Sequence, residues 1–417
     1  MDIRTMAARM GFDADFTAHL LPYEKELMAN SSEELPFFME KEYCTKYYPW
    51  CGGPDPAEIF PLMDTVAEIV RNNPAAARYA SMMHYTIYKS RPALPVKWVA
   101  PTAVFGKNTG IFQLLIGLSS LALVEKKYAE LNLPEKYLRG IARWIGGTIG
   151  IYAAAHDGYP GQSLNQLHWL RNSVEGRLFR CGRLEFLPRN WPSDMAAVYR
   201  NRNDRSLAVL CLDGWAFDAE GFRVDPETTR PAFTSRLVFK DGKVTGMPVT
   251  PFGKPVRGRK LTLDLKEWEP LCAPWEQVVT VHIPAGGGMT PEAVKASFIE
   301  AKQLYREYLG KDIKVFTCGS WILNPVWEKE LPDSNMAALM RNVYQTPCPP
   351  PAGNPGVFFV YGNDAFDPRE RPRTTKLHQA FCRILDRNEP LRVGYMFLPA
   401  DEVEHFGTEY YRKRYVF

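Results

Sequence analysis

The sequence predicts an α+β protein: a helical N-terminal domain over residues 1–176, then an α/β domain over 177–417 with a mixed, mostly antiparallel sheet. Three observations predict it. Apolar residues recur at three and four before Gly176, and they alternate after Gly182. Between Trp275 and Trp321 the chain reads strand, glycine turn, helix, strand. The second domain divides into antiparallel strands (177–275) and a ligand-binding half (276–417).

In the first domain, residues 8–18 form a short amphipathic candidate, and a Pro/Gly loop at 49–54 separates it from the next helix. Residues 56–70 carry Ile59, Phe60, Met63, Val66, Ala67 and Val70 at helical spacing. Residues 75–88 form a third helix, and the prolines of 92–101 demand a loop. Residues 111–128, 134–155 and 164–174 complete the series. No catalytic constellation stands out; His156 reads as a loop residue and His168 as a satisfied helix histidine.

From Gly182 the reading is strands. Arg183-Leu184-Glu185-Phe186-Leu187 alternates, and 207–212 is a second strand. Residues 236–246 form a hairpin around Asp241-Gly242, a pair that favours the turn matching strand twist; 260–265 is another strand. Together they predict a meander feeding the strand at Val278. The segment 200–205 and the stretch 218–231 read as surface loops. After Trp321 come a short helix, a helix capped by Asp333-Ser334-Asn335 and running through Tyr344, a Pro/Gly loop at 347–356, and a strand at 357–361. A helix from Thr374 through Leu385 and a strand at 391–398 finish the order.

The organising stretch is the centre. Val278, Val279, Val281 and Ile283 make a β-branched run ending at Pro284, and Ala285-Gly286-Gly287-Gly288-Met289 follows. Thr290 offers an N-cap oxygen, Pro291 suits the first helical position, and Gly310 can close the helix in the left-handed region. Glycines let the backbone approach a ligand, and the helix start presents amides and a positive dipole end. The join suits a phosphate or pyrophosphate; it also reads as a plain βα turn, because it matches neither the dinucleotide nor the Walker pattern.

Composition narrows the class. The chain has 417 residues, 46% hydrophobic, with 51 Lys+Arg against 47 Asp+Glu. A net charge of +4 is too slight to argue for nucleic acid. The longest apolar stretch, 111–124, falls short of the ~20 residues that span a bilayer. The eight cysteines are scattered with no C-x-x-C pair, which suits reduced thiols in a cytoplasm, and no cluster suggests a metal.

Several phrases then fall in a telling order. Gly176-Arg177-Leu178-Phe179 precedes Gly182-Arg183-Leu184-Glu185-Phe186. Val281-His282-Ile283-Pro284 leads into the glycine turn, and Cys318-Gly319-Ser320-Trp321-Ile322-Leu323 precedes Ser334-Asn335-Met336. The order resembles a bacterial family of acyltransferases with a helical N-terminal domain and a GNAT-like C-terminal domain, over about 134–398. The resemblance implies transfer of an acetyl or related acyl group from acyl-CoA to an amine. In GNAT enzymes a strand holds the pantetheine arm by backbone pairing, the following loop binds pyrophosphate, and the next strand splays away. Residues 278–284, 285–290 and 313–320 occupy those places, so Val281, Ile283, Ala285, Gly286, Gly287, Gly288, Met289 and Thr290 are the expected acyl-CoA-binding residues. The loop departs from the usual Gln/Arg-x-x-Gly-x-Gly/Ala, and a helix between the last two strands replaces a hairpin.

N-acyl transfer needs a neutral amine, a polarised thioester and a protonated leaving thiolate. His282, at the strand end, reads as general base or as a structural histidine. Ser320 reads as a donor to the carbonyl or thiolate, or as a turn cap. Tyr344 is placed where GNAT enzymes often carry an acid tyrosine. Cys318 reads as a buried, inert thiol. Two other classes stay open: a non-catalytic CoA- or nucleotide-binding protein, and a protein-interaction scaffold on the same fold.

Overall fold

A computed structural model of the chain describes residues 1–363, 370 and 373–415. It falls into two compact units: Met1–Arg180 with Pro284–Gly286, and Cys181–Ile283 with Gly287–Phe417.

The first unit is helical. Its opening helix is two, Ile3–Met10 and Ala14–Leu20, not one over 8–18: Gly11 at φ 71° ends the first, and the Asp13 carboxylate caps the second. Glu24–Ala29 and Lys41–Tyr47 follow, then Pro56–Arg71 and Pro74–His84. The apolar run at 111–128 also divides, into Thr109–Leu118 and Leu121–Glu130. Ser119 and Ser120 turn their hydroxyls onto the carbonyls of Ile116 and Gly117, which competes with helix continuation. Every residue of Thr109–Leu118 is buried, so this helix is the unit's centre. The stretch Thr102–Glu130 is long and apolar enough to cross a membrane, yet 78% of its most apolar window lies inside the protein. Glu135–Ala154 packs close to the 49–54 loop: a Cβ on Gly146 would meet the Cys51 carbonyl at 2.1 Å.

The second unit is built on a six-stranded sheet. Its strands are β1 (Phe179–Cys181), β2 (Leu184–Asn190), β3 (Gln277–His282), β4 (Val315–Ser320), β5 (Tyr344–Thr346) and β6 (Gly394–Pro399), in the order β1-β2-β3-β4-β6-β5. β3 and β4 run parallel, and the β2–β3, β4–β6 and β6–β5 pairs are antiparallel. The crossover between them is the helix Pro291–Leu309, capped by Thr290 and closed by Gly310 at φ 62°, as the sequence dictates. Phe298 of that helix packs on Phe186 and Phe316, which fixes one sheet face against it.

The middle of the chain is not a meander into β3. It forms three small separate sheets, and β3 pairs with β2 instead. The hairpin of Leu237–Lys240 and Lys243–Gly246 turns through Asp241 and Gly242, both at positive φ. Residues 197–201, expected in part as loop, are a strand. Its Arg200 is buried between Asp401 (2.9 Å) and Glu402 (2.6 Å), so this part of the segment expected at the surface contributes to the interior. Val357–Tyr361, expected as a strand, is a one-turn helix between Gly356 and Gly362, both at positive φ. The capped helix Asn335–Arg341 stops short of Tyr344.

Candidate active site

The two parallel strands part company. β3 pairs with β2 at all six of its residues, and β4 pairs with β6 at all six. Between themselves β3 and β4 pair only at Val279–Phe316 and Thr280–Thr317. Beyond Thr280 and Thr317 the β3–β4 ladder stops, and the two strands continue with their outer partners β2 and β6.

Directly past this opening lies the glycine turn. Gly286 (φ 118°) and Gly288 (φ 77°) use conformations that other residues rarely adopt, and Gly287 does not. A Cβ on any of the three would meet open space. Among the described residues, the amides of 287–290 donate to no protein acceptor. The Thr290 hydroxyl takes the Ala293 amide at 3.3 Å, which leaves the Glu292 amide at the helix start; the exposed Glu292 carboxylate sits in the same first turn. A short run of amides without acceptors among the described residues thus lies at the start of a helix, a combination suited to a phosphate.

Sheet alternation sorts the expected catalytic residues. The Thr280 and Thr317 hydroxyls are 3.3 Å apart, so they share a face, opposite that of Phe316 and Phe298. His282 is on the threonine face. The register places Glu185 directly across from His282, and Tyr395 across from Gly319. Counted on from the last paired residues, Thr280 and Thr317, the next same-face positions on the two parting strands are His282 and Gly319. The result is one row over four strands: Glu185, His282, Gly319, Tyr395. Gly319 leaves a gap in it, and the Tyr395 ring leans over that gap, 2.6 Å from where a Cβ would be.

Burial, then the nearby Arg189 charge, pushes His282 down to about 4, so its imidazole is neutral at neutral pH. Glu185 is 1% exposed. Burial and then the neighbouring Asp194 raise the Tyr395 hydroxyl, which keeps it a protonated donor. Ser320 does not join the row. Alternation puts it on the other face, and its oxygen accepts the Ile322 amide at 3.2 Å as a turn cap. Cys318 is 2% exposed and burial pushes its thiol up to about 12, which makes it inert.

Tyr344 is on the edge strand β5 rather than a helix. Its hydroxyl donates to the Val249 carbonyl at 2.7 Å, its ring stacks on Phe397, and burial raises it far above the usual range. Three strand spacings, ~14 Å, separate it from β3. Glu185 and Tyr395 are the residues that sequence reasoning missed. Glu185 was visible as a charge inside an alternating run; Tyr395 needed the register.

The site thus consists of a sheet whose two parallel strands part, with a glycine turn and a helix start directly after one of them. The chain belongs to the GNAT-like C-terminal domain family, whose match spans residues 178–398. Over 96% of its length it is similar to an acyltransferase crystallised with decanoyl-CoA and teicoplanin, at 17% identity, 100% of that chain and a TM-score of 0.58. An acyltransferase with decanoyl-CoA matches at 14% identity, 96% of this chain, 99% of that chain and 0.58. An acyltransferase variant with octanoyl-CoA gives 17%, 96%, 99% and 0.57. At such identities the likeness is one of fold, and it takes in the helical N-terminal region. No curated protein sequence matches the chain.

Proposed function

We propose that the protein is an acyl-CoA-dependent N-acyltransferase that moves an acyl group to an amine. The observation that carries this reading is the glycine turn at 287–290, whose amides donate to no acceptor among the described residues, set between a parting strand and a long helix. The turn would hold the pyrophosphate. The pantetheine arm would run along β3 at Val281–Ile283, where the ladder to β4 has ended, and the thioester would lie over Gly319. The acyl-CoA complexes of the structural neighbours support the same cosubstrate.

His282 and Tyr395 are then the catalytic pair. The amine nitrogen attacks the thioester carbonyl carbon, and His282 takes the proton from the nitrogen of the adduct. The C–S bond breaks, and the Tyr395 hydroxyl gives a proton to the leaving thiolate. His282 returns its proton to solvent and Tyr395 is reprotonated, so the balance is amine plus thioester to amide plus free CoA. Glu185 is a positioning residue across from the imidazole.

The eight cysteines are all free and buried, which supports a reducing compartment such as a cytoplasm. Neither a nucleic acid nor a membrane is needed by this reading. A second reading, binding without turnover, is favoured by the weak basicity of His282. The deciding experiment is release of free CoA from acetyl- and decanoyl-CoA across a panel of amines. Turnover that falls at least a hundredfold in His282→Gln supports the enzyme; CoA binding with no release for any amine supports the binding protein.

A further inference from the structure

Three cations gather at the same end of the sheet, on the β6 side of the opening. Arg392 lies two residues before β6, and Cys348 two residues after β5. β6 runs antiparallel to β4, so both lie at the end where Ser320 closes β4. The Arg392 Nη1 donates to the Arg223 carbonyl at 3.5 Å, and Arg392 and Lys254 lie 4.5 and 2.9 Å from the centre of one ring, Phe222. All three cations act on the Cys348 thiol, and Arg223 also acts on Tyr395. The cluster thus adjoins the catalytic row.

These cations lack the partners that buried arginines have elsewhere in the chain. Arg200 is paired with Asp401 and Glu402, and Arg412 with Glu328. Lys254 donates instead to the Glu220 carbonyl (2.9 Å), and Arg223 to the Asp194 carbonyl (3.4 Å). Among the described residues, no carboxylate comes within 4.0 Å of Arg223, Lys254 or Arg392. Three acids act on the cluster from further off: Asp194 on Arg223, and on Tyr395 as well, and Asp218 and Glu220 on Lys254 and Arg392. Asp218 accepts the amides of Glu220 and Phe222, at 2.9 Å each, and Glu220 is exposed. Arg392 is only 9% exposed. A buried cation with neither counter-ion nor full hydrogen bonding is costly, and an arriving oxyanion relieves that cost. Burial holds Lys254 down at about 8, in keeping with a site that wants negative charge.

Resting on the acyltransferase reading, we propose that Arg223, Lys254 and Arg392 form an oxyanion subsite for the acceptor, which is therefore an amine bearing a carboxylate or a phosphate. The CoA pyrophosphate is not the occupant, because its turn follows β3 and the cations lie past β4. The acceptor's anion sits beyond Tyr395 and its nitrogen points back towards His282. Arginine forks and a lysine point charge suit either oxyanion.

The test is titration calorimetry on the full chain at constant ionic strength, with inorganic phosphate, acetate and free CoA as probes. Wild type is compared with Arg392→Gln and Lys254→Gln. Lys254 is the more exposed of the two, so its variant keeps the test alive should the Arg392 change disturb folding. The expected result is that wild type binds phosphate or acetate and that each folded variant loses at least tenfold, while CoA affinity changes less than twofold. Preference for phosphate points to a phosphorylated amine, and preference for acetate to an amino acid or peptide end. Binding of neither anion by wild type, or anion binding unchanged in both variants, overturns the subsite. A parallel tenfold loss of CoA affinity overturns it as well, by giving the cations to CoA. Absence of CoA binding in wild type would instead count against the acyltransferase reading, whatever the anions do.

Discussion

The His282 environment makes a specific demand on the pH–rate profile. An alkylammonium near pKa 10 facing an imidazole at about 4 is mismatched by about 6 units, or about 8 kcal/mol. His282 therefore cannot strip the free ammonium at a useful rate. The amine must arrive neutral, and the imidazole acts only after attack, when the adduct nitrogen has become a strong acid. The free-enzyme profile then has no inflexion from His282 between pH 5.5 and 7.5. Instead kcat/KM rises tenfold per pH unit up to the pKa of the amine. His282→Gln lowers the whole line by ~10²–10⁴, the usual worth of a positioned base, with the slope unchanged. The assay is thiol release from acetyl-CoA over pH 5–9, with any amine that turns over. A wild-type inflexion near 6.5 that vanishes in His282→Gln would refute this reasoning, for it would mean an ordinary base working on the free amine.

Gly287→Glu, at an open position with no positive φ, should leave folding intact and weaken CoA binding at least tenfold by calorimetry. His84, buried against Ser119 at 2.7 Å, is pushed down to about 4 by burial. Because the unfolded chain binds the proton first, near 6.5, its contribution is whole above that value and is lost as pH falls towards about 4, on the order of 3 kcal/mol. Urea midpoints for wild type should fall over that window, and those of His84→Gln should fall less. Arg200→Met leaves the buried Glu402 without its cation, while Asp401 keeps Arg205, and should cost about 3–5 kcal/mol by urea denaturation.

How much was legible follows from how local each cause is. Thr290, Pro291 and Gly310 fixed the long helix to the residue because caps are read within one turn. The hairpin at Asp241-Gly242 was legible for the same reason. The helix break at Ser119–Ser120 was hidden because the flanking residues are buried all round, so periodicity carried no phase. Val357–Tyr361 was misread because β-branched and aromatic residues suit strands, while two left-handed glycines left room for a single helical turn. At the site, the strand, the turn and the position of His282 at the strand end came from the sequence. The row did not, since Glu185, His282, Gly319 and Tyr395 are spread over more than two hundred residues and meet only through register. Tyr344 was misassigned by the same blindness: a helix that ends at Arg341 moves it two strands away from β4.

One residue in the turn opposes the proposed ligand, and it offers a clean test of where the anion sits. Glu292 occupies the first turn of the Pro291 helix, where a carboxylate favours the helix by ~0.3–1 kcal/mol. The same charge repels a pyrophosphate held by the amides at 287–290. At a separation of ~6 Å in water the repulsion is about 0.7 kcal/mol per pair of unit charges, a factor of about three in affinity. Glu292→Gln should therefore lower the melting temperature slightly and tighten CoA binding several-fold at low salt, and the gain should fade as salt rises. The two effects have opposite signs, so general damage to the helix cannot mimic them. Unchanged or weaker CoA binding in a well-folded Glu292→Gln would remove the anion from this helix start, and with it the reason for placing the thioester over Gly319.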